Sequence, residues 1–144
     1  MSKHEIWVRL KLRFEDNLNY SINIEDDTDI SGILVPPLLI QPLVENSIKH
    51  GILPLQSSSG FVELKIYERG NMLYIEVRDN GVGLSQAKRN AQNALHESFG
   101  MENIKKRIEQ LSIIQNTKID LDIRETFDAA GQHEWTIVTI IMAL

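Results

Sequence analysis

The chain has 144 residues, of which 42% are hydrophobic, and its formal net charge is -5. This length fits one globular domain with a single core. The charge disfavours a nucleic-acid groove, because phosphate contacts require a clustered excess of Lys and Arg. The chain contains no cysteine, which excludes disulfides and thiolate metal sites and suits a reducing compartment. No apolar run approaches the roughly 20 residues that cross a bilayer.

The first part of the chain contains a helix end, a strand and a second helix. Apolar residues recur at helical spacing in residues 1–14, which are predicted to be the last turns of a longer helix. Apolar and polar residues alternate over 18–24, which predicts a half-buried strand. Pro37 suits the first position of a helix over 38–50. Pro42 removes a backbone hydrogen bond inside that helix, so a kink is expected there.

The second part contains strands, a helix and a flexible segment. Two alternating runs, 62–66 and 73–77, flank Arg69-Gly70-Asn71 and predict a β-hairpin. Apolar periodicity is lost over 84–98, which indicates a mobile lid. The remaining predicted elements are a helix over 101–111 and strands over 119–123 and 135–141. A sheet combined with these helices predicts an α+β sandwich in one domain, residues 15–144.

The segment Gln41–Gly51 places polar groups in an otherwise apolar helix. Asn46 and Lys49 are about one turn apart and are expected to share a helical face. An Asn amide oxygen is a hard ligand suited to Mg²⁺, and Lys49 can neutralise a phosphate oxygen. Asn and Lys are also ordinary on the polar face of a helix, and a histidine at a helix end, such as His50, more often caps carbonyl groups than contacts a ligand. By itself this segment favours a surface helix.

The segment Asp79–Gly83 follows a predicted strand with alternating glycines. Gly81 and Gly83 allow the backbone to approach a flat ligand closely. The carboxylate of Asp79 can accept a hydrogen bond from an exocyclic amino group such as that of adenine, whereas guanine presents a carbonyl at that place. Asp-Asn-Gly after a strand is also a common turn, so a purely structural role stays open.

The segment Ser98–Asn103 leads from the predicted lid directly into a helix. The first N–H groups of a helix lack intrahelical partners, so a helix beginning at Gly100 can attract phosphate. An ordinary helix start, capped by Ser98 or Gly100, is the alternative. The order of the three segments raises the nucleotide interpretation above each one alone: a helical Asn, a strand-end Asp with glycines, a lid, and a glycine at a helix start.

The three segments together resemble the conserved boxes of the histidine-kinase ATPase superfamily. Gln41–Gly51 resembles its N box, Asp79–Gly83 its G1 box and Phe99–Asn103 its G2 box. The longer string Pro36–Gly51 is similar to the LytS-type sensor kinases of two-component systems. The resemblance covers roughly residues 10–142. It implies a Bergerat-type ATP-binding fold, a two-layer α+β sandwich with a mixed sheet and helices on one face.

The resemblance also implies roles for individual residues. Asn46 would ligate a Mg²⁺ ion that bridges the ATP phosphates, Lys49 would contact phosphate, and Asp79 would bind the adenine amino group. Glu45 is a candidate base or water-positioning residue. The other implied nucleotide contacts are His50, Gly81, Gly83, Leu84, Gly100 and Met101.

The implied reaction is transfer of the ATP γ-phosphoryl group to a histidine on a dimerisation domain of the same protein, and then to an aspartate of a response regulator. None of the four histidines lies in the family's phosphoacceptor context. Residues 1–14 are therefore expected to be the tail of the dimerisation domain. The resemblance further implies the cytoplasmic part of a homodimeric sensor in the cell membrane. Ser98, where a glycine is usual, and the turn at 131–134 depart from the family pattern.

The sequence leaves two alternatives open. An ATP-hydrolysing domain of the gyrase, Hsp90 or MutL type shares the fold but uses an acidic residue one helical turn before the Asn. That position is Pro42 here, which cannot act as a base and so disfavours efficient hydrolysis. The other alternative is a non-catalytic interaction module that kept the fold and lost the nucleotide.

Overall fold

Alternating apolar residues form the strands of this chain, and apolar residues at helical spacing form its helices. The computed structural model describes residues 19–25, 37–52, 55, 60–86 and 100–144. The elements are β1 (Asn19–Ile24), α1 (Pro37–Asn46), the π-helix π1 (Ser47–Ile52), β2 (Phe61–Arg69), β3 (Met72–Asp79), α2 (Gly100–Gln115), β4 (Ile119–Phe127) and β5 (His133–Ala143). The predicted helix of residues 1–14 and the predicted lid beyond residue 86 lie outside the described residues.

The five strands form one sheet in the order β1-β2-β3-β5-β4. β1 runs parallel to β2, with Asn19 opposite Phe61, and the other neighbouring strands are antiparallel. The sheet is therefore mixed, as the resemblance implies. In β3 the alternate residues Leu73, Ile75 and Val77 are buried in the core. The period-2 pattern of the sequence thus separates a covered face of the sheet from an open one.

The helices cover one face of the sheet and contact each other. Leu39 and Leu43 of α1 and Ile104 of α2 are each at most 2% exposed. They join the inward-facing strand residues in a single hydrophobic cluster. This arrangement confirms the predicted two-layer α+β sandwich.

β2 and β3 form the predicted hairpin, whose two-residue turn consists of Gly70 and Asn71. Arg69 pairs with Met72 across the turn, and Gly70 has a φ of 61°. A glycine with positive φ at the first turn position fits a type II′ turn, whose twist matches that of the strands. A Cβ atom at Gly70 would have no atom within 4 Å, so this turn lies in open space.

α1 changes into a π-helix within the segment predicted as one helix over 38–50. The α-helix begins at Pro37, as expected, and ends at Asn46, after which π1 continues to Ile52. Leu43, next to Pro42, is 1% exposed, so core packing offsets the backbone hydrogen bond that the proline removes. The change of helix type lies beyond Pro42, after Asn46. π-Helical turns are rare and concentrate at functional sites.

α2 begins at Gly100, one residue before the predicted start, and extends past the predicted end to Gln115. Ile104 and Ile108 on its inner face are buried, which is the helical spacing that the sequence shows. None of the helices in the described part of the chain is both long and apolar enough to span a membrane.

The turn between β4 and β5, which departs from the family pattern, is held by Asp128. Its Oδ1 atom accepts hydrogen bonds from the backbone N–H groups of Ala130 and Gln132, both at 2.9 Å. Gly131 supplies the required positive φ of 77°. The turn is thus locally stabilised and sets where β5 begins.

Candidate functional site

A cleft opens at the end of the sheet, lined by residues from π1, from the end of β3 and from the first part of β5. Its enclosed part has a volume of about 40 Å³, which holds only a few water molecules. A larger ligand would therefore extend from the cleft toward solvent. The side chains and glycine on which its chemistry depends are those of Asn46, Ser47, His50, Asp79, Gly83 and Thr136.

Asp79 supplies a buried carboxylate to the cleft, and it is the last residue of β3. It is only 4% exposed. Its Oδ1 atom accepts a hydrogen bond from the backbone N–H of Gly81 at 3.0 Å, and Ser47 provides a further side-chain hydrogen bond. Burial raises the pKa of this carboxyl, and these two hydrogen bonds partly oppose the rise. A carboxylate held in this way is a fixed acceptor in a desolvated place.

Two glycines bring π1 and the loop after β3 into direct backbone contact. The N–H of Val82 donates to the carbonyl oxygen of Gly51 at 3.1 Å. A Cβ atom at Gly81 would overlap the backbone of Gly51, and one at Gly51 would lie 2.5 Å from Oδ1 of Asp79. We call Gly51, Gly81 and the Asp79 carboxylate the glycine junction. Because its partners are backbone or buried atoms, no larger residue fits without displacing one of them.

Asn46 and His50 form the side of the cleft next to α1 and π1. Both are half-buried and line the cleft. The pKa of His50 is lowered, first by burial and then by the charge of Lys49. Lys49 itself is exposed and is not part of the lining. The expected shared face of Asn46 and Lys49 is therefore not formed, because in the wider π-helical turn residue i+4, and not i+3, returns beneath residue i.

Glu45 of α1 and the first turn of α2 hold the remaining predicted site residues. Glu45 is half-buried, and its Oε1 atom accepts a hydrogen bond from Nε2 of Gln41 at 3.1 Å. It does not line the cleft. Gly100 and Met101 form the first turn of α2, directly after residues outside the described part of the chain.

The last two strands contribute residues that the sequence analysis missed. Thr136 of β5 lines the cleft, is 6% exposed, and lies opposite Asp79 in the antiparallel register. Glu125 of β4 accepts a hydrogen bond from the N–H of Leu84 at 2.7 Å. Leu84, a predicted contact, lines the cleft and is 41% exposed. A polar Thr within the apolar run 135–141 was the only local signal for Thr136.

Gly83 lines the cleft, and the ring of His133 packs against it. Gly83 has a φ of 89°, and a Cβ atom there would lie 2.9 Å from Cδ2 of His133. Glycine is thus required both by the backbone conformation and by the imidazole ring behind it. His133 in turn contacts Thr136, with 2.8 Å between Nε2 and Oγ1.

Sequence relatives of this chain include bacterial proteins named as sensors. Over 77 residues it is 39% identical to the sensor protein LytS of Oceanobacillus iheyensis, which covers 54% of this chain and 13% of that protein. Over 72 residues it is 43% identical to the sensor histidine kinase YpdA of Escherichia coli (strain K12), which covers 50% of this chain and 12% of that protein. The chain thus matches a small part of each of these proteins.

The fold is that of histidine kinase catalytic domains. The histidine kinase domain of the blue-light activated histidine kinase from Erythrobacter litoralis EL346 has a TM-score of 0.64, at 16% sequence identity. The superposition covers 98% of this chain and 58% of that chain. The family model described as "Histidine kinase-, DNA gyrase B-, and HSP90-like ATPase" matches residues 36–140. With the fold, the order of the boxes and this match in agreement, the chain belongs to the histidine kinase-, DNA gyrase B- and HSP90-like ATPase family.

Proposed function

We propose that this chain binds Mg-ATP in the cleft and presents the γ-phosphoryl group to a histidine on a dimerisation domain of the same protein. The observation that carries the proposal is Asp79, a carboxylate that is 4% exposed at the cleft and accepts hydrogen bonds from Gly81 and Ser47. Burying a charge lowers the free energy of unfolding unless hydrogen bonds or an opposite charge compensate for the lost hydration. A ligand with an amino group would supply that compensation.

Adenine fits the acceptor character of Asp79. Its exocyclic amino group donates a hydrogen bond, whereas guanine has a carbonyl oxygen at the same ring position. Repulsion between that oxygen and a desolvated carboxylate would reject guanine. The bare backbone of the glycine junction leaves room for a flat ring next to the carboxylate.

Asn46 suits a Mg²⁺ ion that is shared with ATP phosphates. Its amide oxygen is a hard neutral donor, and Mg²⁺ retains several waters while using few protein ligands. The described residues contain no group of three His, Asp or Glu side chains suited to hold a metal on their own, so phosphate oxygens would complete the coordination. The ion would neutralise phosphate charge. Lys49 and the N–H groups at Gly100 and Met101 are proposed as additional phosphate contacts.

The phosphate acceptor is proposed to lie outside the described residues. Of the two described histidines, His50 lines the cleft and the ring of His133 lies against Gly83. Both positions suit contact with a bound ligand or support of the cleft wall. Phosphoryl transfer depends mainly on positioning and charge neutralisation, so a cleft without its own nucleophile is consistent with transfer. Glu45, bonded to Gln41 within α1, and Pro42 make the hydrolytic alternative less suitable.

The names of the relatives extend the proposal to the whole protein. Since the relatives include a sensor protein and a sensor histidine kinase, we propose that the complete protein is a homodimeric sensor in the cell membrane. This domain would then face the cytoplasm and act with a response regulator as the final phosphoryl acceptor.

Titration with ATP, with and without Mg²⁺, tests the binding proposal. The proteins compared are the parent, Asp79→Ala, Asn46→Ala and the control Asn23→Ala, which alters an exposed amide on β1. Asp79→Ala is expected to weaken ATP binding by at least about tenfold in both conditions, because a hydrogen bond to a charged group is lost. Asn46→Ala should mainly remove the increase in ATP affinity that Mg²⁺ causes in the parent. Equal affinities in all four proteins would refute the site.

Transfer requires the acceptor to be present. The chain extended through its dimerisation domain is incubated with γ-labelled ATP, and acid-labile, alkali-stable label on protein is measured. The proposal predicts label on histidine of the extended protein. Release of inorganic phosphate by the isolated domain, at a rate that the extension does not change, would support the hydrolytic alternative instead.

A further inference from the structure

His133 occupies a place in the site that the proposed function does not yet use. It is the first residue of β5, and its ring lies against Gly83, where a Cβ atom would be 3.0 Å from Cγ. The Phe127 ring approaches it edge-on, with 6.2 Å between the ring centroids. Its Nε2 atom is 2.8 Å from Oγ1 of Thr136. The ring is therefore held in one orientation with its Nε2 atom directed at a residue of the cleft wall.

The two ring nitrogens of His133 differ in their surroundings. Nδ1 is buried and has no hydrogen-bond partner among the described residues, whereas Nε2 contacts Thr136. A neutral imidazole carries one N–H and one bare nitrogen acceptor. Buried N–H donors without a partner are rarer in folded proteins than under-satisfied acceptors. The hydrogen consequently belongs on Nε2, where it donates to Oγ1 of Thr136.

This tautomer fixes the hydrogen-bonding role of Thr136. A hydroxyl group has one donor and two acceptor positions. When one lone pair of Oγ1 receives the His133 N–H, the hydroxyl cannot point its own hydrogen at Nε2 and can donate it to a ligand in the cleft. Thr136 lies directly opposite Asp79 in the β3–β5 register, so the two side chains are neighbours on one sheet face. The cleft wall then presents an acceptor beside a donor.

We propose that His133 is a positioning residue that holds the Thr136 hydroxyl as a hydrogen-bond donor to a ring nitrogen of the bound base. This inference rests on the proposed binding of ATP. Adenine presents an amino donor beside an unprotonated ring nitrogen, which complements the acceptor of Asp79 and the donor of Thr136. Guanine presents an oxygen beside a protonated ring nitrogen on the corresponding six-membered-ring edge. His133 thereby contributes to base selectivity without contacting the base.

The test measures dissociation constants for ATP, 1-deaza-ATP and 7-deaza-ATP. Both analogues keep the amino group and lack one of the two ring nitrogens beside it. The parent should bind ATP about three- to tenfold more tightly than 1-deaza-ATP, the range expected for one hydrogen bond, whereas 7-deaza-ATP should bind about as tightly as ATP. His133→Phe keeps a ring against Gly83 but has no donor, and it should reduce this ratio to about one. His133→Gln, which restores an N–H at a similar reach, should recover most of it.

A double-mutant cycle separates positioning from a general structural effect. Thr136→Val should abolish the same ratio, and adding His133→Phe to it should cause no further loss of discrimination. A parent that fails to bind ATP contradicts the proposed function itself. A parent that binds ATP and 1-deaza-ATP equally, or a His133→Phe protein that retains the parent ratio, contradicts only the role of His133.

The tautomer is measured independently of any ligand. In the parent, ¹⁵N shifts of the His133 ring should show a hydrogen on Nε2 and a bare Nδ1, and the pattern should persist in Phe127→Ala, which alters only the edge-on ring. A hydrogen on Nδ1 would overturn the inference, including in the event that His133→Phe does not fold.

Discussion

The two ends of the cleft are built in different ways. At the end proposed to bind the base (the base end), Asp79, Gly51 and Gly81 are buried, and each meets backbone or buried atoms of another element. At the end proposed to bind phosphate (the phosphate end), Asn46 is half-buried, Lys49 and Leu84 are exposed, and α2 follows residues outside the described part of the chain. The base end is thus buried, whereas the phosphate end consists of half-buried and exposed side chains.

This difference indicates which part of recognition is fixed before the ligand arrives. A buried acceptor whose partners are backbone groups needs no reorganisation when a base binds, so selectivity is set by the fold. Exposed side chains lose conformational freedom when they order around phosphate, so each contributes less to affinity. Substitutions at the base end should therefore alter both folding and binding, and those at the phosphate end should alter binding alone.

The largest effect is expected from Gly81→Ala at the glycine junction. Its Cβ atom would overlap the backbone of Gly51, which cannot move without displacing π1, so the free energy of unfolding should fall by about 3 kcal/mol. Gly70→Ala is the matched control, because its new Cβ atom would have no atom within 4 Å and only the φ of 61° opposes the substitution. The free energy of unfolding should fall by about 1 kcal/mol in this control. Urea unfolding measures both, and equal losses would mean that the junction is not rigid.

Asp79→Asn should separate stability from binding at the base end. The pKa of Asp79 is raised by burial, so the folded state binds its proton more tightly than the unfolded state does. Stability therefore falls as pH rises through the interval between the two pKa values and stays lower at neutral pH. Without ligand, the Asn variant should unfold at a higher temperature than the parent at pH 7, and the difference should shrink toward pH 4.

The same Asp79→Asn protein should lose at least about tenfold in ATP affinity. Thermal scans from pH 4 to 8, with and without ATP, give both results in one series. Asp122→Asn, at an exposed position on β4, controls for the change in net charge. A variant that is less stable than the parent at pH 7 would show that the hydrogen bonds of Asp79 outweigh its desolvation.

Glu125 is expected to stabilise the loop at Leu84, between the two ends of the cleft. Its carboxylate accepts the N–H of Leu84 at 2.7 Å, so Glu125→Ala should accelerate hydrogen exchange at the Leu84 amide by about fivefold. Glu125→Gln retains an acceptor oxygen and should preserve most of the protection. Exchange that is equally fast in both variants would indicate that the charge, and not the hydrogen bond, holds the loop.

The smallest effect is expected from Lys49→Ala. The side chain is exposed, so its attraction for phosphate is screened, and ATP affinity should fall by only about twofold at low salt. The difference should vanish near 1 M salt, and Lys49→Arg should resemble the parent. A tenfold loss that persists at high salt would place Lys49 within the cleft of the bound protein, against the comparison drawn above.

Local sequence patterns were sufficient to predict most elements of the fold. The hairpin, the final two strands and the start of α1 at Pro37 follow from alternation, turn residues and proline geometry. The parallel pairing of β1 with β2 has no local signal, because its partner lies far along the chain. The π-helical turn likewise has no local signal, and it contacts the loop after β3 through Gly51, which is distant in sequence.

The site was predictable to the extent that its residues belong to short motifs. Asp79, Asn46 and Gly83 were expected and do line the cleft. Thr136, His133 and Glu125 were missed, because their proximity to Asp79 or Leu84 is set by cross-strand register and not by spacing along the chain. Lys49 was expected on the face of Asn46 and is exposed, because the helix type changes between them.

The parallel pairing of β1 has a consequence for how the chain enters the domain. Asn19 lies opposite Phe61, whose N–H donates to Oδ1 of Asn80 at 2.6 Å, next to Asp79. β1 therefore begins at the end of the sheet that carries the cleft; an antiparallel β1 would have begun at the opposite end. A group joined to the N-terminal side of β1 would be tethered at this end of the sheet, so its effective concentration at the cleft would depend on the length of the linker rather than on free diffusion.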